Sequence, residues 1–502
     1  MEVLLGIDIG TYSVKATAIA ADGVLLDTVS LRHEVSIPKP GYAEQHPEQV
    51  WWHGLESAVR QLVSRGRFSP ERVRALGVST LSPCVAPVDD AGRAVRPAIL
   101  YGVDVRAGRQ IDRLNEELGD AFVLERYGQY LSSQTAGPKI MWLRDEEPSV
   151  FRASRRFVPA STYLVHRLTG KWTIDAYIAP SYAPFFRMDA MEWDGEMIAR
   201  YLGEEGERLQ WPELAWPGDA AGELLPGAAS ALGLPPGIPV AVGSADALTE
   251  AISAAALSPG DLFVMYGSSI FFIATTSRRV SSSKIFWPSP GLSPGTWAVA
   301  GGMSTAGTLV RWVMDLAYPS EASFGDFFAE AKRSEPGSGG LVMLPYMSGE
   351  RTPLADPDAR GLIAGLSLKH GRAELSRAAL EGVAYGIRHN LEAFEDQVGP
   401  VRLVGAGGGV TDPFWPQIVS DVCARPQRIM PYTSSAIGDA LLAGRCAGLY
   451  GEERMREMAL SLCRPVELQP NAKLSELYDS RYEVYRKLYE ETRESVHRLA
   501  RG

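Results

Sequence analysis

The chain has 502 residues, of which 45% are hydrophobic and 22% are charged, and its formal net charge is −10. This ordinary globular composition and length predict roughly two to four domains with a large buried core. The acidic balance, together with the lack of any block of Lys and Arg, argues against a nucleic-acid backbone or an anionic membrane as a partner.

The cysteines and histidines argue against a zinc site. The four cysteines show no C-x-x-C or C-x-x-H spacing, and the seven histidines form no H-E-x-x-H pair. Reduced thiols fit best with the cytoplasm. The chain also enters a strand pattern at once, without a basic leader, and has no apolar stretch long enough to span a bilayer. We therefore expect a cytoplasmic protein.

The first elements along the chain form a three-stranded meander, a helix and a fourth strand. The predicted strands cover residues 3–8, 14–20, 24–31 and 73–79. An Asp22-Gly23 turn suits the positive-φ positions of a hairpin, and Pro47 marks a helix start whose apolar residues recur at helical spacing up to Leu62. The order is β-β-β-α-β.

A comparable order returns in the second half of the chain. The predicted strands there cover residues 239–243, 262–266, 270–275 and 297–300, and a helix follows from Ser304. Two copies of one α/β unit would create a cleft between them. Pro and Gly punctuate residues 234–239. We therefore predict an N-terminal domain over 1–245 and a C-terminal domain over 246–502, ending in a helix over 474–500.

The first candidate site is the turn after the first strand. Asp8 ends this strand, and Gly10, Thr11, Ser13 and Lys15 follow. Gly10 lets a bulky ligand approach the backbone, the hydroxyls can donate to phosphate, and Asp8 could hold Mg²⁺ directly or through water. An ordinary hairpin is the alternative.

Two further turns carry small residues after apolar strands. Gly267-Ser268-Ser269 occupies, in the second copy, the place that the Gly10-Thr11 turn occupies in the first, and two such hairpins could hold a triphosphate. Gly407-Gly408-Gly409 follows the strand-like residues 401–404 and would let a flat adenosine lie on bare backbone. Neither matches the dinucleotide or Walker fingerprint. A plain structural turn stays open for both.

Asp246 is the candidate catalytic base. It stands at the junction of the two proposed domains, ahead of an Ala-rich helix. A sugar hydroxyl that attacks a γ-phosphate needs a positioned acceptor for its proton, and an Asp can serve. The alternative role is an N-cap, and the two roles do not exclude each other.

Two motifs carry a resemblance to a known family. Gly361 to Leu366, followed by Glu374 to Glu381, fits the C-terminal signature of the FGGY carbohydrate kinases at each position, and residues 344–353 are similar to family text. The N-terminal signature matches in its core, 137–143, while Gln134 and Ala136 depart from it. From Leu4 to about Gly448 the chain resembles this family, which belongs to the actin and hexokinase superfamily.

The resemblance implies an α/β fold of two actin/hexokinase-like (ribonuclease H-like) domains flanking an inter-domain cleft. It implies that the Asp8–Lys15 hairpin and Gly267-Ser268-Ser269 cradle the phosphates of ATP, with Mg²⁺ at Asp8. It further implies that Gly407-Gly408-Gly409 receives adenosine and that Asp246 is the base. A homodimer is common among relatives.

The sugar pocket departs from the nearest group, the xylulokinases. Ser82-Pro83-Cys84 stands where they usually carry Met-His-Gly, and Ala247 stands where they carry Asn. Tyr101, Asp104 and Arg106 resemble the family's sugar wall, with Tyr for Trp and one extra residue. The alternatives are a surface ion pair for Asp104 and Arg106 and a core position for Cys84.

The sequence therefore predicts ATP-dependent phosphorylation of a small sugar hydroxyl, on a ketopentose such as xylulose or ribulose. A polyol, an aldonate or another ketose is the alternative substrate. Two rival classes stay open: a catalytically weak sugar-sensing protein on the same scaffold, and an actin-like ATPase that acts on proteins. The two FGGY signatures argue against the second, and retention of Asp8, Thr11 and Asp246 argues against the first.

Overall fold

The computed structural model describes residues 1–280 and 285–501 and divides into two compact units. The first unit comprises Met1–Leu257, Pro288–Trp297 and Thr433–Leu462, and the second comprises Ser258–Trp287, Ala298–Tyr432 and Cys463–Gly502. The chain therefore returns to the first unit after passing through the second. The predicted boundary at residue 245 treats the domains as consecutive segments, and it stays a prediction.

The first unit is built on a twisted mixed sheet. Its strands run in the order Ala220–Glu223, Pro239–Ala241, Val73–Thr80, Val3–Ile9, Ser13–Ala20, Leu25–Arg32, and Ser244–Ala245 also pairs with Val73–Thr80. Val3–Ile9, Ser13–Ala20 and Leu25–Arg32 pair in antiparallel fashion, which confirms the predicted meander. Val3–Ile9 is buried along its whole length. It pairs in parallel with Val73–Thr80, and this central position explains why Asp8 is its only charged residue.

One predicted strand was assigned to the wrong sheet. The sequence predicts residues 239–243 as the start of the second copy, but Pro239–Ala241 pairs in parallel with Val73–Thr80 in the first unit. Its pairing partner lies about one domain's length back along the chain, so no local signal in the sequence indicates it.

Helices and short strand pairs complete the first unit. The helices are Pro47–Trp52 (a wider π-helical turn), His53–Ser64, Gly108–Leu118, Asp120–Tyr127, Ala136–Glu146, Pro148–Ala153, Ala160–Thr169, Gly195–Glu207, Pro226–Leu232, Asp246–Ser253, Ser435–Cys446 and Glu452–Cys463. The strand pairs are Glu44–Gln45 with Ala98–Ile99, Ala86–Val88 with Arg156–Val158, Thr173–Asp175 with Glu213–Ala215, and Phe186–Arg187 with Glu192–Trp193.

The second unit contains a second mixed sheet. Among the described residues, its seven strands run in the order Trp287–Pro290, Trp297–Met303, Ile270–Thr276, Asp261–Tyr266, Arg402–Ala406, Gln427–Ile429, Val466–Leu468. The strands predicted over 262–266, 270–275 and 297–300 are therefore confirmed. A separate pair of strands is formed by Val342–Leu344 with Leu362–Ala364.

The second unit also contains five α-helices among the described residues: Gly307–Ala317, Phe324–Ala331, Arg372–Val398, Phe414–Cys423 and Ser475–Arg501. The C-terminal helix buries Tyr478, Tyr482 and Tyr485 on one side, as its periodicity predicts, and it packs within the second unit. Nowhere in residues 1–280 or 285–501 is a helix both long and apolar enough to cross a bilayer.

Candidate functional site

Asp8 lies in the most buried strand of the first unit. Its side chain is 6% exposed, and the residue stands opposite Lys15 in the antiparallel ladder. Oγ of Ser79 lies 3.3 Å from Oδ1 of Asp8. Burial, and next the carboxylate of Asp246, raise the pKa of Asp8 to about 8 against the opposing charge of Lys15. A cation beside Asp8 would therefore favour its charged form.

The turn after Asp8 is held tightly at its tip. The Gly10 N–H donates to the Ser13 carbonyl at 2.9 Å, which closes the hairpin. Oγ1 of Thr11 shares a 2.9 Å hydrogen bond with the Tyr101 hydroxyl, and Nε2 of Gln45 donates to the Thr11 carbonyl at 2.9 Å. Gly10, Thr11 and Ser13 remain partly exposed. Two candidate groups, the phosphate hairpin and the sugar wall, therefore touch through Thr11 and Tyr101.

Asp246 is the first residue of the helix Asp246–Ser253, and Ala245 is the N-cap. The N–H of Ala247 donates to Oδ1 of Asp246 at 2.8 Å. Burial raises the pKa of Asp246 to about 7; the hydrogen bond from Ala247 opposes this rise, and the Glu250 carboxylate adds to it. The carboxyl group is thus enclosed and oriented by its own helix, with one oxygen engaged by the backbone.

Asp439 and Glu250 are acidic residues near Asp8 and Asp246 that the sequence analysis missed. Asp439 is completely buried, and its Oδ2 accepts a 2.7 Å hydrogen bond from Ser79. Its Oδ1 is buried without a hydrogen-bond partner among the described residues. Burial and repulsion from Asp8 raise the pKa of Asp439 well above its usual range. An Asp inside the Ala- and Leu-rich helix Ser435–Cys446 was the available signal.

Glycines allow this helix to lie against the sheet. A Cβ on Gly6 would stand 1.9 Å from the Ala436 carbonyl oxygen, and one on Gly77 would stand 2.0 Å from the Asp439 carbonyl oxygen. Any side chain at either position would push the helix away from the strands. These two glycines therefore set the distance between Asp439 and the strand that carries Asp8.

Cys84 is a core residue. It is completely buried, its Sγ lies 3.3 Å from the Ala160 N–H that donates to it, and burial raises the pKa of its thiol to about 12. A thiol so far from its charged form is no nucleophile. Ser82 and Pro83, which precede it, are partly buried.

Asp104 and Arg106 form a buried ion pair, so the alternative of a surface pair is wrong. Nη2 of Arg106 lies 2.6 Å from Oδ2 of Asp104, Nη1 lies 2.8 Å from Oε1 of Glu44, and both side chains of the Asp104–Arg106 pair are fully buried. The guanidinium also lies against the rings of Tyr42 and Trp142, with centroid distances of 4.0 and 5.0 Å. These contacts fix the segment after Tyr101, while direct contact with a sugar stays a prediction.

The second unit places Gly267-Ser268-Ser269 at the turn between Asp261–Tyr266 and Ile270–Thr276. The Gly267 N–H donates to the Ser269 carbonyl at 3.0 Å. The Ser268 carbonyl accepts hydrogen bonds of 3.0 Å each from the N–H groups of Ala306 and Thr308. The start of the helix Gly307–Ala317 is therefore attached to this hairpin through its backbone N–H groups.

The three glycines 407–409 have different environments. Gly407 has a φ of +100°, and a Cβ there would stand 2.8 Å from the Tyr266 carbonyl oxygen, so only glycine fits. Gly409 packs against Trp415, whereas the Cβ position of Gly408 has no atom within 4 Å. Gly408 is therefore the point at which a flat ligand could approach the backbone.

The C-terminal signature has a structural role in the second unit. Glu381 pairs with Arg377 at 2.8 Å and accepts hydrogen bonds from the Gly337 N–H, the Ser338 hydroxyl and the Tyr478 hydroxyl. Both oxygens of this buried carboxylate therefore have partners, and these hydrogen bonds connect the long helix to a turn and to the C-terminal helix. Glu381, a residue of the signature, thus stabilises the packing of the second unit.

No set of three or more His, Cys, Asp and Glu side chains within residues 1–280 and 285–501 is arranged to hold a metal ion. A metal at Asp8 would therefore take most of its ligands from phosphate and water, as Mg²⁺ commonly does. Burial, and next the repulsion between neighbouring carboxylates, raises the pKa values of Asp8 and Asp439, and a divalent cation beside them would favour their charged forms.

Comparison with known proteins agrees with this architecture. Residues 3–253 match the N-terminal domain, and residues 262–447 the C-terminal domain, of the "FGGY family of carbohydrate kinases". Because these matches cover most of the chain, the protein has the two-domain α/β fold of the actin/hexokinase-like sugar kinases. It belongs to the FGGY family of carbohydrate kinases, so it transfers a phosphoryl group to a sugar hydroxyl, and membership implies ATP as the second substrate.

Individual relatives span nearly the whole chain. The chain is 28% identical over 494 residues to the xylulose kinase of Escherichia coli (strain K12), which covers 97% of this chain and 98% of the relative. It is 26% identical over 486 residues to the gluconokinase of Bacillus subtilis (strain 168), covering 94% and 93%. The crystal structure of xylulose kinase from Rhodospirillum rubrum superposes with a TM-score of 0.89 at 28% identity, covering 99% of this chain and 100% of that one.

Proposed function

We propose that the enzyme phosphorylates a ketopentose, D-xylulose first among them, with Asp246 as the base. The observation that carries this proposal is the oriented carboxyl group of Asp246 at a helix start, with a pKa near 7, in the unit that also contains Asp8 and the Thr11 hairpin. A base whose pKa is close to neutral combines a large deprotonated fraction with useful proton affinity.

The proposed chemistry is a direct in-line transfer. The sugar hydroxyl oxygen forms a bond to the γ-phosphorus as the bond from that phosphorus to the β-phosphate oxygen breaks, so ADP leaves. The hydroxyl proton passes to the carboxylate of Asp246. Gly10, Thr11, Ser13 and Lys15 are proposed to hold phosphate oxygens.

The nucleotide contacts from the second unit are also part of the proposal. Gly267, Ser268 and Ser269 are proposed to bind phosphate, supported by the closed geometry of their turn. Gly407, Gly408 and Gly409 are proposed to receive adenosine, supported by the open position at Gly408.

Asp8 is proposed as the residue that holds Mg²⁺, directly or through water. Its oxygens are hard ligands of the type that Mg²⁺ prefers, and the surrounding carboxyl groups favour a cation. When bound, Mg²⁺ offsets negative charge on the phosphate oxygens. Ser79, whose hydroxyl lies between the carboxyl groups of Asp8 and Asp439, would orient Asp8.

The sugar pocket is proposed to include Ser82, Pro83, Tyr101, Asp104 and Arg106. Cys84 is proposed to shape the pocket from the core, since it is buried. Xylulose is favoured because relatives named xylulose kinase align along the whole chain. Gluconate is the second candidate, since a gluconokinase aligns at a similar identity.

Turnover against a substrate panel tests the proposal. ADP release is measured with D-xylulose, D-ribulose, D-gluconate, glycerol and a hexulose, for the wild type and for Asp246→Asn. Turnover on D-xylulose that Asp246→Asn abolishes supports the proposal. Turnover on gluconate alone would make gluconate, and not xylulose, the proposed substrate. A protein that binds ATP but turns over no compound would favour the sugar-sensing alternative.

We also propose a cellular location and an oligomeric state for the enzyme. We place the enzyme in the cytoplasm, which is supported by four cysteines that form no disulfide. Its net charge of −10 supports a protein without nucleic-acid partners. A homodimer is proposed from the family resemblance, and light scattering coupled to size-exclusion chromatography tests it.

A further inference from the structure

Thr11 is held on two sides by side chains from one small piece of structure. This piece is the two-stranded sheet formed by Glu44–Gln45 and Ala98–Ile99, named here the clamp sheet. Gln45, in the first strand, donates through Nε2 to the Thr11 carbonyl at 2.9 Å. Tyr101, two residues after the second strand, shares a 2.9 Å hydrogen bond with Oγ1 of Thr11.

A second hydrogen bond, from Trp51, fixes the orientation of the Gln45 side chain. Its side chain is 2% exposed, and its Oε1 accepts a 2.8 Å hydrogen bond from Nε1 of the completely buried Trp51. Both ends of the amide are therefore engaged, and the side chain has a single orientation consistent with its partners. Such a buried amide, engaged at both its nitrogen and its oxygen, is suited to positioning another group.

The bond to the Thr11 carbonyl also orients the next amide. In a trans peptide the carbonyl of Thr11 and the N–H of Tyr12 point in opposite directions. Because Gln45 holds the carbonyl on one side, the Tyr12 N–H is directed to the other side of the hairpin. The Tyr12 carbonyl is likewise held, by the N–H of His33 at 3.0 Å. Two successive peptide planes at the tip are thus set for an anion.

The clamp sheet also holds the proposed sugar wall. The Ala43 carbonyl, next to the first strand, accepts from the Leu100 N–H at 3.0 Å, and the Ala43 N–H donates to Oδ2 of Asp104 at 2.7 Å. The Asp104 N–H donates back to the Tyr101 carbonyl at 2.8 Å, which closes a turn. Any displacement of this turn by a sugar would be transmitted through Tyr101 to Thr11.

We infer that Gln45 and Tyr101 are positioning residues that hold the Thr11 hairpin and couple sugar binding to nucleotide binding. This inference rests on the proposed function. Under this inference the Tyr101 hydroxyl binds Thr11 and not the sugar. Gln45, which takes no part in the proposed chemistry, becomes a functional residue.

The variants separate this role from simple structural support. Gln45→Leu removes the donor to Thr11, and Tyr101→Phe removes one hydroxyl while keeping the ring. Trp51→Phe breaks the bond at the other end of the Gln45 amide. Thr17→Val is the matched stability control, because the buried Thr17 hydroxyl bonds to Thr28 at 3.1 Å away from the hairpin tip.

The experiment is calorimetric titration of each variant with the ATP analogue AMP-PNP and Mg²⁺, with and without saturating D-xylulose. We expect Gln45→Leu and Tyr101→Phe each to raise the Kd of AMP-PNP by about 2- to 10-fold, the value of one hydrogen bond. The ratio of the two Kd values, with and without D-xylulose, should move toward 1 in both variants. Thr17→Val should change neither the Kd of AMP-PNP nor this ratio. Trp51→Phe should raise the Kd less than Gln45→Leu does.

The outcomes distinguish two failures. If the wild type turns over no sugar of the panel, the proposed function falls and this inference falls with it. If the wild type is active but Gln45→Leu and Tyr101→Phe lose thermal stability like Thr17→Val and keep the wild-type Kd and ratio, the inference alone is overturned. Equal weakening of AMP-PNP binding by all four variants would also overturn it.

Discussion

The hydroxyl of Ser79 donates a 2.7 Å hydrogen bond to Oδ2 of Asp439, although the two residues are 360 positions apart in the chain. The same oxygen lies 3.3 Å from Oδ1 of Asp8. A hydroxyl has one hydrogen, so Ser79 lies between two carboxyl groups that compete for it. This contact connects the strand that bears Asp8 to a helix from the far end of the sequence.

Asp246→Asn is expected to lower kcat by about 10²- to 10⁴-fold, because an amide cannot accept the hydroxyl proton. Initial rates at saturating ATP and sugar measure the loss. The matched control is Asp194→Asn, which alters a buried carboxylate in the same unit that caps the helix Gly195–Glu207 and pairs with Arg126. An equal loss in both variants would show that Asp246 acts through folding alone.

The pH dependence of kcat/KM should follow the Asp246 carboxyl group. Its pKa is raised to about 7, and only the deprotonated form accepts a proton, so the rate should rise with pH and level off above about 7. A pH–rate profile for the sugar from pH 5.5 to 8.5 checks this. A flat profile between pH 6 and 8 would contradict the assignment.

Asp439→Asn is expected to make the protein more stable, and increasingly so as the pH rises. The pKa of Asp439 is raised in the folded state, so the folded chain binds more protons than the unfolded chain above the usual carboxyl pKa. Stability from this group is present at low pH and is lost as the pH rises through the raised pKa. Thermal melts of both proteins at pH 5 and pH 8 provide the measurement. The same difference in melting temperature at both pH values would argue against a buried, titrating Asp439.

Gly6→Ala should destabilise the first unit by about 3 kcal/mol, because its methyl group would meet a helix backbone that cannot move alone. The clashing atom is the Ala436 carbonyl oxygen, 1.9 Å from the added Cβ. Gly227→Ala is the control, since that helical glycine has nothing within 4 Å of its Cβ position and alanine favours a helix. Denaturant unfolding of both variants checks the contrast, and equal stabilities would refute the close approach.

Much of the local structure was readable from the sequence. The meander over the first 32 residues is indicated by alternating apolar runs and an Asp22-Gly23 turn, and the helix after Pro47 by its apolar spacing. The resemblance to the FGGY kinases, carried by residues 361–381, is confirmed by matches to both family domains. Pro239–Ala241 was misplaced because its pairing partner is remote.

The sequence by itself indicated the meander, the helix after Pro47, the C-terminal helix, the family and the candidate residues Asp8, Thr11 and Asp246, because turn residues, apolar periodicity and signature motifs are read from neighbouring positions. Only the tertiary structure decided that Asp439 lies beside Ser79 and that Gln45 reaches Thr11. These contacts depend on strand pairing, on glycines that admit a helix and on burial, which join residues far apart in sequence. Burial also set the raised pKa values, since the cost of removing a carboxylate from water exists only once the core has closed around it.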